Sequence, residues 1–482
     1  MITRFYSFLR KLKSCHNYES LMANYKIANS EKQINVIHRH VVKTARKGSA
    51  NLLNRLFLIS FFVKAQKALS EKMYNKWVHE FADLAFKSGK EFYRPVRKWN
   101  NSKRKLAFIG FGDDPSAYLH VYHLCKYFNS SGKFKPYLFL FKAQGVVDRI
   151  KSQFNGVNTD VMIIHFDEAN ILESCLAMRK LCEENHIDVA VWVHLPSIMF
   201  PLFGMRIAEK QVFLCQYLHP DLKRYQIDGL ITYGCIFEKQ SVFLKDPWRV
   251  FPSSVNISKK GYTFDPLLRK SFCKDESTII LSTFGRIEKI RQLDFLGCVA
   301  EILKRSNSTI YLYTGYEDDP EISAFFHKKG LAERVRFIGW VDIDIYLPII
   351  DIILDSFPLA TGFTALKAMA YGKPVLSLGN MYSYMGRDIK PLMTNCAFRG
   401  YAQAGQLFYQ LREVISKLPF KPYANNKEDY VLKGLSLVLD KDIRRQISEF
   451  QSFCSRKLYQ NTELMGEIFT EHIEEICGIR KL

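Results

Sequence analysis

The sequence lacks the features of a membrane-spanning protein, of a secreted protein and of a zinc-binding protein. Its longest apolar run, residues 56–63, is far shorter than the ~20 residues that cross a bilayer. Residues 1–10 lack the continuous apolar core of a signal peptide. The 11 cysteines are scattered without a Cys-x-x-Cys pair, which argues against a zinc site or a disulfide framework. We therefore expect a cytoplasmic protein.

Acidic residues are also scarce, most of all near the N-terminus. The chain has 69 Lys and Arg against 48 Asp and Glu, a net charge of +21, and residues 1–105 account for +17 of it. A basic region rich in Phe and Leu favours contact with an anionic surface, which lipid, an acidic partner protein or nucleic acid would provide. The region has no basic motif of the known nucleic-acid modules, which argues against nucleic acid. We expect peripheral contact with the inner membrane face; a solvated basic face and a cover for the next domain are the alternatives.

Hydrophobic periodicity divides the chain into four segments. Residues 1–100 have apolar side chains at helical spacing, and alternating strand-like and helical runs follow them. The predicted organisation is a basic α-helical region over 1–100, a Rossmann-like acceptor-side domain over 103–260, a Rossmann-like donor domain over 276–440, and a C-terminal helix over 441–482 that packs back across the domains.

Both alternating series predict a parallel sheet covered by helices. In the first series we expect a helix over 172–185 and strands over 106–109, 137–141, 161–164, 189–193 and 211–217. In the second we expect strands over 279–284, 310–313, 335–337, 352–354 and 375–378, after a linker over 262–275. The predicted fold class is α/β, with two doubly wound domains that face a cleft where ligands bind at the carboxyl ends of the strands. This architecture resembles the GT-B fold of glycosyltransferases.

The loop after the first strand contains Gly110 and Gly112 without a complete G-x-G-x-x-G pattern. These glycines are candidates for the cleft, and a tight turn is the alternative interpretation. The loop over 315–320 contains an Asp-Asp pair, which we interpret as the N-cap of the following helix rather than as a metal site.

The segment over 354–376 has the most specific pattern. A strand ends at Asp355, a turn with Pro358 and Gly362 follows, and a helix begins near Thr364 and ends at Gly372. A helix N-terminus after a glycine turn offers free N–H groups and a positive dipole, which suit a phosphate. The segment resembles the donor-binding strand–turn–helix of family 41 glycosyltransferases, which include O-GlcNAc transferases and bacterial cytoplasmic N-glucosyltransferases.

Two further stretches resemble the same family. Residues 284–290 match a loop whose lysine, here Lys289, holds the nucleotide diphosphate, although Gly285 replaces the family's asparagine. Residues 216–221 resemble the His-Pro motif of the N-glucosyltransferases, with His219 as the histidine. The resemblance covers about residues 190–390.

The resemblance implies a nucleotide-sugar donor, with a UDP-sugar as the first candidate, and a protein or glycan acceptor. A metal and a cofactor are not required, since Lys289 and Arg286 can offset the charge of the leaving group. His219 is a candidate general base, donor ligand or turn cap, and His194 is a second cleft candidate. The candidate donor-binding residues are Gly285, Arg286, Asp355, Gly362, Phe363, Thr364, Lys367, Arg387 and Asp388.

Lys367 departs from the family pattern. The resemblance implies a carboxylate at this position that binds hydroxyl groups of the donor, and a lysine has no acceptor. Four explanations are open. The donor carries an extra anionic group that binds Lys367, or another carboxylate, Asp355 or Asp388, takes over the contact. Alternatively, the chain is a non-catalytic partner subunit, or Lys367 is a solvated surface residue. The leading hypothesis is a metal-independent hexosyl- or N-acetylhexosaminyltransferase. Family 41 implies inversion at the anomeric carbon, whereas family 4 implies retention and a saccharide or lipid-linked acceptor.

Overall fold

A computed structural model describes residues 83–96, 103–111, 118–142, 147–165, 171–193, 199–215, 225–233, 249–251, 263–273, 275–358, 362–379, 410, 413–414 and 416–479. These residues belong to two compact units, one within Met1–Ile231 and Ile473–Leu482 and the other within Thr232–His472. The predictions for residues 1–82 lie outside the described residues. No helix of the described part is long and apolar enough to cross a membrane.

The first sheet has seven strands in the order β3-β2-β1-β4-β5-β6-β7. All pairings from β3 to β5 are parallel. Its strands are β1 (Lys105–Phe111), β2 (Lys135–Lys142), β3 (Asp160–His165), β4 (Val189–Val193), β5 (Lys210–Cys215), β6 (Gly229–Tyr233) and β7 (Arg249–Phe251). The helices between them are α1 (Leu119–Ser131), α2 (Val147–Gln153), α3 (Ile171–Glu184) and α4 (Met199–Met205). The first five predicted strands are confirmed as β1 to β5, and the predicted helix over 172–185 is α3.

Residues 83–90 form a helix that packs closely on the first unit. A Cβ at Gly89 would lie 1.9 Å from the carbonyl oxygen of Pro201, and one at Gly204 would lie 2.3 Å from that of Phe86. Only residues without a side chain allow this approach. Asp83 accepts a hydrogen bond of 3.0 Å from the Tyr225 hydroxyl. The described end of the N-terminal region therefore covers the domain that follows it.

The second sheet has six strands in the order β10-β9-β8-β11-β12-β13, and every pairing is parallel. The strands are β8 (Ile279–Thr283), β9 (Thr309–Tyr313), β10 (Val335–Phe337), β11 (Ile352–Leu354), β12 (Val375–Leu378) and β13 (Tyr423–Ala424). Its helices are α5 (Pro266–Phe272), α6 (Ile287–Ile290), α7 (Leu293–Lys304), α8 (Pro320–Lys328), α9 (Ile343–Tyr346), α10 (Phe363–Ala370), α11 (Lys427–Leu439) and α12 (Lys441–Cys454). The last helix, α13 (Thr462–Ile476), has residues in both units. The five predicted strands of the second series are confirmed as β8 to β12. Together the two sheets with their flanking helices confirm the α/β class with two Rossmann-like domains.

Two predicted elements are wrong in detail. The linker over 262–275 contains α5, because Pro266 occupies the first helical position and Asp265 caps the helix by accepting from the N–H groups of Leu267 and Leu268. The C-terminal helix is divided into α12 and α13 by a π-helical turn over Ser455–Tyr459. The Asp440 carboxylate caps α12 at its start.

Candidate functional site

The predicted donor-binding residues that the structure describes follow β8 and β11. These two strands pair in parallel, so their carboxyl ends lie at the same edge of the second sheet. Strands β9 and β10 continue the sheet beyond β8, and their ends share that edge. In parallel α/β sheets this edge is where ligands bind. We call it the donor edge, after the predicted donor-binding residues that lie there.

The turn after β8 is fastened to the loop after β9. The Gly285 N–H donates to Oγ1 of Thr314 at 2.9 Å, and that hydroxyl donates to the Gly285 carbonyl at 3.0 Å. Thr314 is buried, so this pair of hydrogen bonds is sheltered from water. The backbone that precedes Arg286 is therefore held in one position. Arg286 itself is exposed and stands at the N-cap of α6.

Lys289 lies in α6 and is half-buried. Burial lowers the pKa of its ammonium group below the usual value, because a charge loses hydration there. The carboxylate of Asp355 opposes this by raising the pKa of Lys289, and the Arg286 guanidinium lowers it. A further negative charge beside Lys289, such as that of an anionic ligand, would favour the charged form of its ammonium group.

Asp355 follows β11 and is only 2% exposed. Its backbone N–H donates to the Leu376 carbonyl at 2.9 Å, and its carbonyl accepts from the Tyr430 hydroxyl at 3.0 Å. The preceding carbonyl, of Leu354, accepts from Oγ1 of Thr283 at 2.7 Å. These contacts fix the end of β11 beside the end of β8. Because Lys289 follows β8 and Asp355 follows β11, the pairing of these strands brings the Asp355 carboxylate close enough to raise the pKa of Lys289.

Among the described residues, no side chain caps the start of helix α10 at the donor edge. Its N-cap residue is Gly362, whose φ of +70° and ψ of −118° L residues rarely adopt. Because glycine has no side chain, Gly362 supplies no side-chain cap to the first turn of the helix. The positive end of the helix dipole lies at this turn. This end of α10 suits a phosphate group.

Lys367 lies in the last turn of α10, and the interpretation as a solvated lysine is wrong. Its Nζ donates to Oδ2 of Asp344 at 2.6 Å. The two side chains are 21% and 11% exposed. Asp344 belongs to α9 and was not among the predicted site residues. The Asp-Ile-Asp-Ile repeat over 342–345 was the signal that could have found it, since it places a carboxylate in the first turn of a helix after β10.

An aromatic pair at the donor edge was also missed. The rings of Tyr316 and Trp340 stack with centroids 4.2 Å apart and an interplanar angle of 11°. They are 71% and 56% exposed, which is unusual for side chains of this size. Gly315 and Gly339 precede them and join the two loops through a hydrogen bond of 3.3 Å. A large aromatic residue directly after each of these two glycines was the available sequence signal.

The loop over 315–320 has the predicted structural role. Asp319 caps α8 by accepting from the Glu321 N–H at 2.9 Å. Asp318 accepts from the Tyr313 hydroxyl at 2.6 Å. Within the described residues, no three His, Cys, Asp or Glu side chains are grouped as a metal site would require.

The first unit places Gly110 inside β1 rather than in a ligand loop. A Cβ at this position would lie 2.3 Å from the Tyr118 hydroxyl and 2.7 Å from the Val193 carbonyl oxygen. Close packing therefore accounts for this glycine. The other candidates, Gly112, His194, His219, Arg387 and Asp388, lie outside the described residues.

Residues 278–384 match the family model described as "Glycosyl transferases group 1". This segment contains the donor edge from β8 to the end of β12. The match supports a transferase that acts on sugars. No curated protein sequence matches the chain.

Solved structures of glycosyltransferases share the fold. A mutant O-GlcNAc transferase of Thermobaculum terrenum is 14% identical, with a TM-score of 0.55 over 98% of each chain. A glycosyltransferase of Rickettsia africae is 16% identical, with a TM-score of 0.56 over 78% of this chain and 99% of its own. The Anabaena protein HepE, solved with UDP and glucose, is 12% identical, with a TM-score of 0.55 over 77% of this chain and 100% of its own. At these identities the likeness shows the fold, which is GT-B as predicted.

Proposed function

We propose that the chain is a glycosyltransferase that moves a sugar from a nucleoside-diphosphate sugar to a protein or glycan acceptor. The observation that carries the proposal is the half-buried Lys289 at the donor edge, beside the strand that leads to the uncapped start of α10. Both features lie in the segment that matches the glycosyltransferase family model. Together they supply a cation and backbone N–H donors for one diphosphate group.

The arrangement fits the chemistry of the leaving group. When the bond between the sugar and the diphosphate breaks, negative charge develops on the leaving phosphate. Lys289 would stabilise this charge, and the exposed Arg286 could bind a phosphate through two parallel hydrogen bonds. The donors at the start of α10 are fixed by the backbone, so they need no reorganisation during the reaction. We propose on this ground that transfer requires no metal ion.

The stacked pair of Tyr316 and Trp340 would bind the base of the nucleotide. Their exposed rings lie on loops that follow β9 and β10, next to the turn that holds Arg286. A base gains about 1–3 kcal/mol from stacking on an aromatic side chain. Stacking accepts every base, so the pair supplies affinity rather than a choice among nucleotides. UDP is our first candidate because HepE was solved with UDP and glucose.

The proton acceptor of the reaction remains a proposal from the sequence. We propose His219, which comes four residues after the last residue of β5 in the sequence, as the group that accepts this proton. A histidine has an unperturbed pKa near neutrality, which suits a general base for an acceptor hydroxyl.

Two experiments test the proposed function. The purified chain is incubated with a nucleotide sugar, and release of the nucleoside diphosphate is measured for the wild type and for Lys289→Met. Turnover that is lost in the variant supports the proposal. The configuration of the product, measured by NMR, then decides between the two mechanisms: inversion supports likeness to family 41, and retention supports a transferase like those of family 4.

The basic N-terminal region is proposed to contact an anionic membrane surface. The proposal rests on its charge of +17 and on its Phe and Leu residues, since most of the region lies outside the described residues. Flotation of the full chain with anionic and neutral vesicles tests it. Recovery with anionic vesicles alone supports charge-driven binding, and equal recovery with both contradicts it.

A further inference from the structure

Three loops of the donor edge are fastened to one another by hydrogen bonds. They are the turn after β8, which holds Arg286, and the loops after β9 and β10, which hold Tyr316 and Trp340. Thr314 joins the first loop to the second, because its hydroxyl accepts from the Gly285 N–H at 2.9 Å and donates to the Gly285 carbonyl at 3.0 Å. One side chain therefore links the turn of the proposed phosphate site to the loop of the proposed base site.

The loop after β9 is joined to the loop after β10 as well. The Ile338 N–H donates to the Tyr313 carbonyl at 3.0 Å, and the Gly315 N–H donates to the Gly339 carbonyl at 3.3 Å. The aromatic residues that follow the two glycines stack ring on ring. The stacked rings are therefore carried on a backbone that Thr314 connects to the turn after β8.

Close packing adds to these hydrogen bonds. A Cβ at Gly315 would lie 3.1 Å from the Glu317 carbonyl oxygen and 3.2 Å from Cδ1 of Ile287, which follows Arg286 at the start of α6. Both distances are shorter than ordinary van der Waals contacts, so the absence of a side chain lets α6 and the loop approach. Thr314 itself is 3% exposed, and its hydrogen bonds are sheltered from competing water.

A fixed distance between two subsites favours a ligand with two ends. A nucleoside diphosphate carries its base and its diphosphate on one ribose, so the two ends are a limited distance apart. When one end binds, it holds the other end near its own subsite, and the gain in affinity is greatest when that subsite is already in place. If the two loops moved independently, part of this gain would be lost in ordering them.

We propose that Thr314 is a positioning residue that holds the base platform, the stacked pair of Tyr316 and Trp340, at the spacing from the phosphate-binding turn that a nucleoside diphosphate requires. The hydroxyl acts through the Gly285 backbone rather than on the ligand. The inference rests on the proposed function, which assigns the base to the two rings and the diphosphate to the turn and α6. The spacing makes the site selective for an intact nucleoside diphosphate over its separate halves.

Binding of a diphosphate and of its two halves to the full chain tests the inference. The ligands are UDP, uridine and inorganic pyrophosphate, measured by calorimetry and, for the weak halves, by ligand-observed NMR. If wild type binds GDP, ADP or CDP more tightly than UDP, that diphosphate and its nucleoside are used instead. The test variant Thr314→Val keeps the shape of the side chain and removes the hydroxyl, whereas Thr314→Ser retains the hydroxyl.

Thr309→Val is the matched control. Thr309 is also buried, and its hydroxyl donates to Oγ of Ser306 at 2.8 Å. It is the first residue of β9 and lies at the opposite edge of the sheet, whereas Thr314 directly follows the last residue of the same strand. Both valine variants should lower Tm, so a loss of affinity that only Thr314→Val shows is separate from a loss of stability.

The inference predicts a loss that depends on having both halves in one ligand. Thr314→Val should weaken UDP about tenfold and change the affinities of uridine and pyrophosphate by less than about twofold, since each half needs only its own subsite. Thr314→Ser should bind UDP like wild type. Thr309→Val should bind all three ligands like wild type.

Two results would overturn the inference while leaving the proposed function intact. One is a folded Thr314→Val variant that binds UDP like wild type. The other is an equal weakening of all three ligands, which would assign the hydroxyl to the folding of each subsite. A wild-type chain that binds none of the four nucleoside diphosphates would instead contradict the proposed function itself, and this inference with it.

If Thr314→Val does not fold, Gly315→Ala decides. The added Cβ forces the loop and Ile287 apart and leaves the Thr314 hydroxyl in place. A selective loss of affinity for UDP in this variant supports the inference. Unchanged affinity for UDP, or an equal loss for all three ligands, overturns it.

Discussion

Replacing Lys289 by methionine removes one positive charge from the donor edge and keeps most of the side chain's volume. An ammonium about 4 Å from a phosphate oxygen gains roughly 4 kcal/mol at an effective dielectric constant of 20. Lys289 is half-buried, so part of this is offset by lost hydration. A charged hydrogen bond contributes a net of about 1.5–3 kcal/mol. At 1.36 kcal/mol per factor of ten, kcat/KM should fall about 10- to 150-fold.

The assay is steady-state release of the nucleoside diphosphate, with kcat and KM determined separately. Because charge grows on the leaving phosphate, kcat should fall more than KM rises. Lys373→Met is the matched control: burial lowers the pKa of Lys373 as well, but its Nζ donates to the Pro348 carbonyl at 2.9 Å, and Lys373 precedes β12 at the opposite edge. The control should lose thermal stability and keep its kcat. An unchanged Lys289→Met enzyme, or an equal loss of kcat in the control, would refute the assignment.

Three further substitutions test other parts of the donor edge. Asp355→Asn removes the carboxylate that raises the pKa of Lys289, so the ammonium loses its proton at lower pH. The alkaline limb of the pH profile of kcat/KM should therefore move to lower pH, and an unmoved limb would contradict the pairing. Trp340→Ala should weaken a nucleoside diphosphate about tenfold and leave inorganic pyrophosphate unaffected in calorimetry, since only the former has a base to stack; equal weakening of both contradicts a base platform. Gly362→Ala places a Cβ at φ +70°, which costs about 1–2 kcal/mol and should lower Tm; an unchanged Tm would contradict the backbone conformation.

The central strands were predictable from the sequence because each is a short apolar run between turn residues. In β4 all five side chains are buried, as expected for a strand covered on both faces. The limits predicted for β4, β10, β11 and β12 agree with the structure. Strands β6, β7 and β13 were missed. Two of them are very short and lie at sheet edges, where one side of pairing is absent and the apolar pattern is weak.

The site was predictable where it depends on local chain order and not where it depends on contacts. The predicted order of strand, glycine turn and helix at Gly362, Phe363 and Thr364 is confirmed, and phosphate binding there stays a prediction. The partner of Lys367 is 23 residues away along the chain and on another helix. Its identity follows from how α9 and α10 pack, which no local pattern of charges determines. The same holds for the stacked rings of Tyr316 and Trp340, which come from separate loops.

The most direct test of a nucleotide-sugar transferase is a donor panel. The purified full chain is incubated with UDP-, GDP-, ADP- and CMP-sugars, and both binding and release of the nucleotide are measured, with Lys289→Met alongside. The account predicts that a nucleoside-diphosphate sugar is bound and cleaved, and that the variant loses this activity. Failure of every donor to bind would contradict it.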